Sequence, residues 1–196
     1  MLKPIILIRH GSTKDNGAGA QDKIRGWKDV PLDDRGKIEA QQAARDCKGL
    51  KLAGLVSSDL SRAKETAMII SRMDDIKLIS VSPYFRPWNL GIYTGVESEQ
   101  AAPDIQKYAT QMPQTPVPKG ESFHDFERRF FKGLKMVCGH PGLIGIVSHY
   151  RCICLLESWK SAGFPPDGSI DHEKFCRKGE PPGHVKEFDV PTERIP

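Results

Sequence analysis

Leu7-Ile8-Arg9-His10-Gly11-Ser12-Thr13 decides the reading of this chain. The residues before it, Pro4 to Ile8, form an apolar run rich in β-branched side chains, the pattern of a buried strand. The run stops abruptly at an arginine, a histidine and a glycine. In open α/β sheets ligands bind outside the carboxyl ends of the strands, so a buried strand that ends in polar residues points to a site. The plainer alternative is a basic strand end with a surface histidine, and this segment alone does not separate the two.

A second stretch repeats the pattern. Leu143-Ile144-Gly145-Ile146-Val147-Ser148 is the most strand-like run in the chain, and it ends at His149. Leu52 to Val56 reads as another strand, stopped by Ser57-Ser58-Asp59, a helix-starting cluster. Leu60, Ala63, Ala67 and Ile70 then recur at helical spacing to about Arg72, with Arg62 in the first turn. An arginine there opposes the helix dipole. A solvated helix arginine is the commoner fate, but a bound anion would justify the charge. If these strands are parallel neighbours, Arg9, His10, Arg62 and His149 meet on one rim. Guanidinium forks match phosphate oxygens. The same cations disfavour a charged imidazole, leaving a ring nitrogen with a free lone pair.

The remaining elements follow from periodicity and punctuation. Residues 11–34 read as a long polar loop. A helix is expected from Asp34 to about Cys47, capped by Asp33 or Asp34, with Ile38, Gln41 and Ala44 on one face. Ile76 to Val81 reads as a strand, and a short helix is expected around Gln100–Gln111 within a Pro-rich segment. Phe123, Phe126, Phe130, Leu134 and Val137 form a stripe at helical spacing that belongs to the core. A helix from Arg151 to Ala162 and a last strand at Val185–Val190 complete the reading.

Composition excludes other classes. The 196 residues suffice for one domain with a proper core. A net charge of +4 suits anionic small substrates, and the absence of basic blocks argues against nucleic acid. The start, Met1-Leu2-Lys3-Pro4, shows no leader, and no run is long enough to span a bilayer. Cys47, Cys138, Cys152, Cys154 and Cys176 are odd in number and scattered, which suggests reduced thiols in a cytoplasmic protein. Metal-ligand spacings, the P-loop and the dinucleotide fingerprint are all missing from the sequence.

Together these segments resemble the histidine phosphatase superfamily, the phosphoglycerate mutase-like proteins. Leu7 to Thr13 resembles its Arg-His-Gly motif. Asn16, Arg25-Gly26-Trp27-Lys28-Asp29-Val30-Pro31-Leu32 and Gly36 resemble the segment that follows. Ser57 to Ala67, Gly120-Glu121-Ser122 and Val147-Ser148-His149 resemble the later signatures, in family order over residues 5–155. The resemblance implies an α/β fold, a three-layer α/β/α sandwich with a mostly parallel central sheet. It implies a single domain over 1–196, with the Pro-rich insertion around 96–120. It also implies roles: His10 as the nucleophile that forms a phosphohistidine, and Arg9, Arg62 and His149 around the phosphate. Asn16 would be a further donor, with Arg25 and Trp27 near the substrate mouth.

One position departs from the pattern. Many members carry a Leu-Arg-Glu-like triplet ahead of the Gly-x-x-x-Gly that Gly91 and Gly95 resemble, and its Glu donates a proton. Here the triplet reads Phe85-Arg86-Pro87. Tyr150 stands where another branch has its acid. Glu121 is the candidate donor, with Glu97 second; for Glu121, a first-turn glutamate that merely stabilises a helix dipole is the competing account. The reading that follows is a metal-independent phosphomonoester hydrolase, needing no cofactor, acting on a small phosphorylated substrate. The alternatives are a phosphoglycerate-type mutase and a weakened phosphate-binding protein. No nucleic-acid or membrane partner is expected, and a homodimer is the assembly to test.

Overall fold

The computed structural model describes residues 1–16, 22–176 and 181–196. The expectations for the loop and the tail that fall on 17–21 and 177–180 lie outside these residues.

Five strands form one sheet: β1 (Leu2–Arg9), β2 (Leu52–Ser58), β3 (Leu78–Ser82), β4 (Leu143–Ser148) and β5 (Val185–Pro191). Their order is β3-β2-β4-β1-β5. All neighbours run parallel except β1 and β5. Period-two alternation sends β1 side chains to two separate cores. Ile5 and Leu7 join the larger one, with Phe126, Phe130, Leu134 and Trp159. Ile6 and Ile8 join the smaller, with Ala43, Ala44, Ala63 and Ala67. Both faces are therefore covered, as a parallel sheet requires.

The helices are α1 (Asp34–Cys47), α2 (Ser61–Asp74), α3 (Ser98–Thr110), α4 (Phe123–Cys138), α5 (Tyr150–Ser161) and α6 (His172–Cys176). The α4 stripe is buried throughout, from Phe123 to Val137. Ser122 caps α4 by accepting from the Asp125 amide. Asp33 caps α1 by accepting from the Gly36 amide.

Two local expectations are corrected. The buried face of α1 is Gly36, Ala40, Ala43, Ala44 and Cys47, while Ile38 is 63% exposed and Gln41 faces solvent. The helix lies so close to the β1 exit that a Cβ on Gly36 would collide with backbone atoms of Ser12, and one on Gly11 with Gly36. Only small side chains fit that seam, so hydrophobicity did not mark it. The start of α2 is also held differently. Its Ser61 amide donates to Asp29 Oδ1 at 2.7 Å, and the Ser61 hydroxyl donates to Asp29 Oδ2. The cap thus comes from the distant loop, and Asp59 instead holds Arg86 through two bonds.

Candidate active site

The parallel register of β1 and β4 places the two histidines side by side. Arg9 is paired with Ser148, and the His10 amide donates to Ser148 O at 3.0 Å. The next residue on each strand is then a histidine at the sheet's carboxyl edge. The rings lie with centroids 5.0 Å apart and planes inclined by 62°. Both residues are 2% exposed.

Hydrogen bonds fix the His10 ring. Its Nδ1 lies 2.6 Å from Gly11 O, a carbonyl that can only accept, so Nδ1 carries the proton. Arg62 Nε donates to His10 Nε2 at 3.3 Å. Nε2 is therefore an acceptor with a lone pair. His149 Nε2 lies 2.8 Å from Ser58 Oγ, while its buried Nδ1 has no hydrogen-bond partner among the described residues. Burial first, then the Arg62 charge, hold both imidazoles well below the usual histidine pKa, so both are neutral at neutral pH.

Arg62 comes from the first turn of α2, and it is 1% exposed. Its Nη1 donates to Lys28 O and its Nη2 to Gly26 O. A guanidinium has five N–H groups, so two remain for a ligand. Burial and the neighbouring Arg25 charge lower its pKa to about 9, and the same two causes lower Arg9 to about 10. Such crowding of positive charge disfavours itself, and a dianion would relieve it. The residues that crowd here are cations, and no cluster of three metal-ligating side chains occurs among the described residues.

These groups line a cavity of about 480 Å³. Arg9, His10, Arg62 and His149 share it with Arg25, as expected, and also with Tyr150 and Arg151. The Tyr150 ring has the Arg9 and Arg151 guanidinium groups 5.3 and 5.4 Å from its centroid. Arg151 went unnoticed in the sequence, although the signal that marked Arg62 applied: a cation in the first turn after a strand that ends at the site. Ser58 was read as a helix starter, and it is the partner of His149.

Four expected residues are elsewhere. Asn16 is not on the cavity lining; its Oδ1 accepts from the Thr13 amide and hydroxyl, closing a turn. Trp27 donates to Pro87 O and stacks under Arg86, 4.6 Å from its centroid, away from the lining. Glu121 is the larger correction. Its carboxylate receives the Arg129 guanidinium at 2.7 Å and the Asn89 amide at 2.9 Å, and it does not line the cavity. Arg129 goes on to donate to the carbonyls of Pro83, Tyr84, Arg86 and Pro87. Glu121 thus belongs to a clamp on the loop that carries Pro87. Glu97 stands at the N-cap position of α3, without a side-chain capping bond, and is also off the lining.

The histidine phosphatase superfamily (branch 1) matches residues 5–170. The chain belongs to this superfamily. Among curated proteins it is similar to probable phosphoglycerate mutases GpmB. It is 29% identical over 141 residues to the one from Cronobacter sakazakii, covering 70% of this chain and 64% of that protein. It is 29% identical over 171 residues to that of Yersinia enterocolitica, covering 83% and 76%. Among solved structures, a mycobacterial glucosyl-3-phosphoglycerate phosphatase bound to VO3 superposes with a TM-score of 0.73 at 23% identity. That match covers 94% of this chain and 92% of the other, and it extends the likeness to the fold. Among the described residues, no helix is long and apolar enough to cross a membrane.

Proposed function

We propose that this protein is a phosphomonoester hydrolase in which His10 takes the phosphoryl group. The observation that carries the reading is the His10 ring: Nδ1–H tied to Gly11 O, and Nε2 left with its lone pair beside Arg62. In this reading Nε2 attacks phosphorus and the ester P–O bond breaks. Water then attacks the phosphohistidine, the P–N bond breaks, and orthophosphate leaves with the ring neutral again. Arg9, Arg62 and His149 stabilise charge on the equatorial oxygens, the usual source of phosphoryl-transfer catalysis. Arg25 and Arg151 stand further round the same cavity. Metal-independence and a small phosphorylated substrate belong to the same proposal.

The test is direct. Incubation with p-nitrophenyl phosphate should give turnover that persists in EDTA, and rapid quenching in ice-cold base should trap a phosphoenzyme that dilute acid destroys. His10→Ala should lose both turnover and label. A phosphoenzyme that survives in His10→Ala would overturn the assignment. The names of the curated relatives favour a second reading, a mutase that returns the phosphoryl group to another hydroxyl of the substrate. Interconversion of phosphoglycerates that depends on a bisphosphoglycerate primer would establish it in place of hydrolysis.

A further inference from the structure

The groups assigned so far do not protonate the oxygen that leaves phosphorus. In-line displacement fixes where that oxygen lies. The nucleophilic His10 Nε2 stands on the buried side with Arg62 and His149, each no more than 2% exposed. The leaving oxygen is on the far side of phosphorus from Nε2, so it faces the open rim of the cavity. A proton donor therefore belongs at the rim, where one side chain can meet both substrate and water.

The first two turns of α3 form part of that rim. Ser98, Glu99, Ala102 and Ile105 line the cavity at helical spacing, from exposed Glu99 and Ala102 to Ile105 at 3% exposure. Asp22 pins the start of this face. Its carbonyl accepts from the Ser98 amide at 2.8 Å, and its Oδ2 accepts from the Ser98 hydroxyl at 2.8 Å. The adjoining segments pair as well, through the Ile24 amide to Val96 O at 2.9 Å and the Lys23–Glu97 bridge. The turn is thus fastened to the loop that carries Arg25, whose Nη1 donates to Asp22 Oδ1 and to Asp15 O.

The two carboxylates of the lining consequently divide. Asp22 accepts from Arg25 on one oxygen and from Ser98 on the other, the bonding of an ionised group that holds structure. Glu99 is the next residue after the pinned Ser98, on a turn whose place at the rim is fixed. The other groups nearby are poor acids. Guanidinium groups such as Arg25 and Arg151 keep their protons, and burial raises the Tyr150 phenol. Pro87 has no proton to give.

We propose that Glu99 is the general acid that protonates the leaving oxygen, and the general base for the water that follows. This rests on the hydrolase reading and deepens it. His10 Nε2 bonds to phosphorus, the ester P–O bond breaks with its electron pair going to oxygen, and that oxygen takes the Glu99 proton. The Glu99 carboxylate then takes a proton from the incoming water as its oxygen bonds to phosphorus. The P–N bond breaks, its electron pair returns to Nε2, and Glu99 is protonated again for the next cycle. A dianion in the seat disfavours a second negative charge beside it, so a carboxyl at the rim keeps its proton more readily while substrate is bound.

The experiment compares Glu99→Gln with the parent on β-glycerophosphate and on p-nitrophenyl phosphate, whose leaving group needs no proton. A placed acid contributes typically ~10²–10⁴-fold, so kcat/KM should fall by at least about 100-fold on the alkyl ester and by less than about threefold on the aryl one. With p-nitrophenyl phosphate the variant should release a burst of about one nitrophenol per site and then turn over slowly, because the phosphoenzyme now lacks its base. Glu97→Gln, two residues away and off the lining, should change neither ester. A glutamate that only favours the helix dipole would give no such split. Equal slowing of both esters, no loss on β-glycerophosphate, or the selective loss appearing in Glu97→Gln instead would overturn the assignment while leaving the hydrolase reading intact. No turnover of either ester and no phosphoenzyme in the parent would remove both readings together.

Discussion

A Cβ on Gly36 would run into the carbonyl oxygen of Ser12. The first turn of α1 therefore presses on the backbone directly after His10. Gly36→Ala must push Ser12 and Gly11 away from the helix, and overpacking of this kind costs about 3 kcal/mol. Urea denaturation should show a lower midpoint with an unchanged slope. Hydrolysis of p-nitrophenyl phosphate, the assay of the proposed function, should fall too, because Gly11 O orients the His10 ring. A variant as stable as the parent would mean that the two segments separate freely.

Glu121 offers a second measurement. Its ion pair with Arg129 is largely shielded, the two side chains being 14% and 15% exposed. Glu121→Ala leaves Arg129 without its carboxylate, and breaking a buried pair on one side costs roughly 3–5 kcal/mol; partial exposure here puts the expectation near the lower bound. Loosening the Pro87 loop should slow phenyl and alkyl phosphates by the same factor. A loss confined to alkyl phosphates would restore Glu121 as the proton donor.

The histidines predict how stability depends on pH. Folding lowers the pKa of both His10 and His149 below the ordinary value of 6.5, chiefly by burial and then by Arg62. Above pH 6.5 both states hold the rings neutral and the shift has no effect. Below it the unfolded chain takes up protons that the folded chain refuses, so stability falls as pH decreases. Denaturation between pH 7 and 5 should report uptake of up to two protons on unfolding, partly lost in His149→Asn. Stability that rises on acidification would contradict neutral rings.

Anions should act in the opposite sense. Arg9 and Arg62 are depressed by burial and by Arg25, and a bound dianion would raise them again. Orthophosphate or vanadate at 100 times Kd should stabilise the fold by about 2.7 kcal/mol, read as a higher Tm. Chloride at matched ionic strength should not. Arg62→Gln should abolish most of the phosphate effect, and an unaltered shift in that variant would place the anion elsewhere.

Much of this architecture was legible because it is local. The strand ending at His10 and the strand ending at His149 announce themselves by composition, and the sheet's register does the rest. The α1 limits follow from Asp33 and the Cys47 turn. Its buried face did not, because a seam set by Gly11 and Gly36 rewards smallness over hydrophobicity, and Ile38 misled. The Asp29 cap on α2 and the Glu121–Arg129 pair join residues 32 and 8 positions apart through the fold, which no periodicity encodes. Glu121 was chosen as a proton donor, but its carboxylate holds Arg129, which in turn gathers the carbonyls of the Pro87 loop.

The Asp29 cap also has a bearing on how occupancy of the cavity is felt outside it. Arg62 holds the carbonyls of Gly26 and Lys28, and Asp29, one residue further on, holds the amide and hydroxyl of Ser61. The loop and the first turn of α2 are thus laced together on both sides of the guanidinium. An anion that draws Arg62 toward itself pulls on one end of this lacing, and the exposed Ser61–Asp29 knot is the other end. Amide exchange at Ser61 becomes a surface gauge of whether the buried seat is filled.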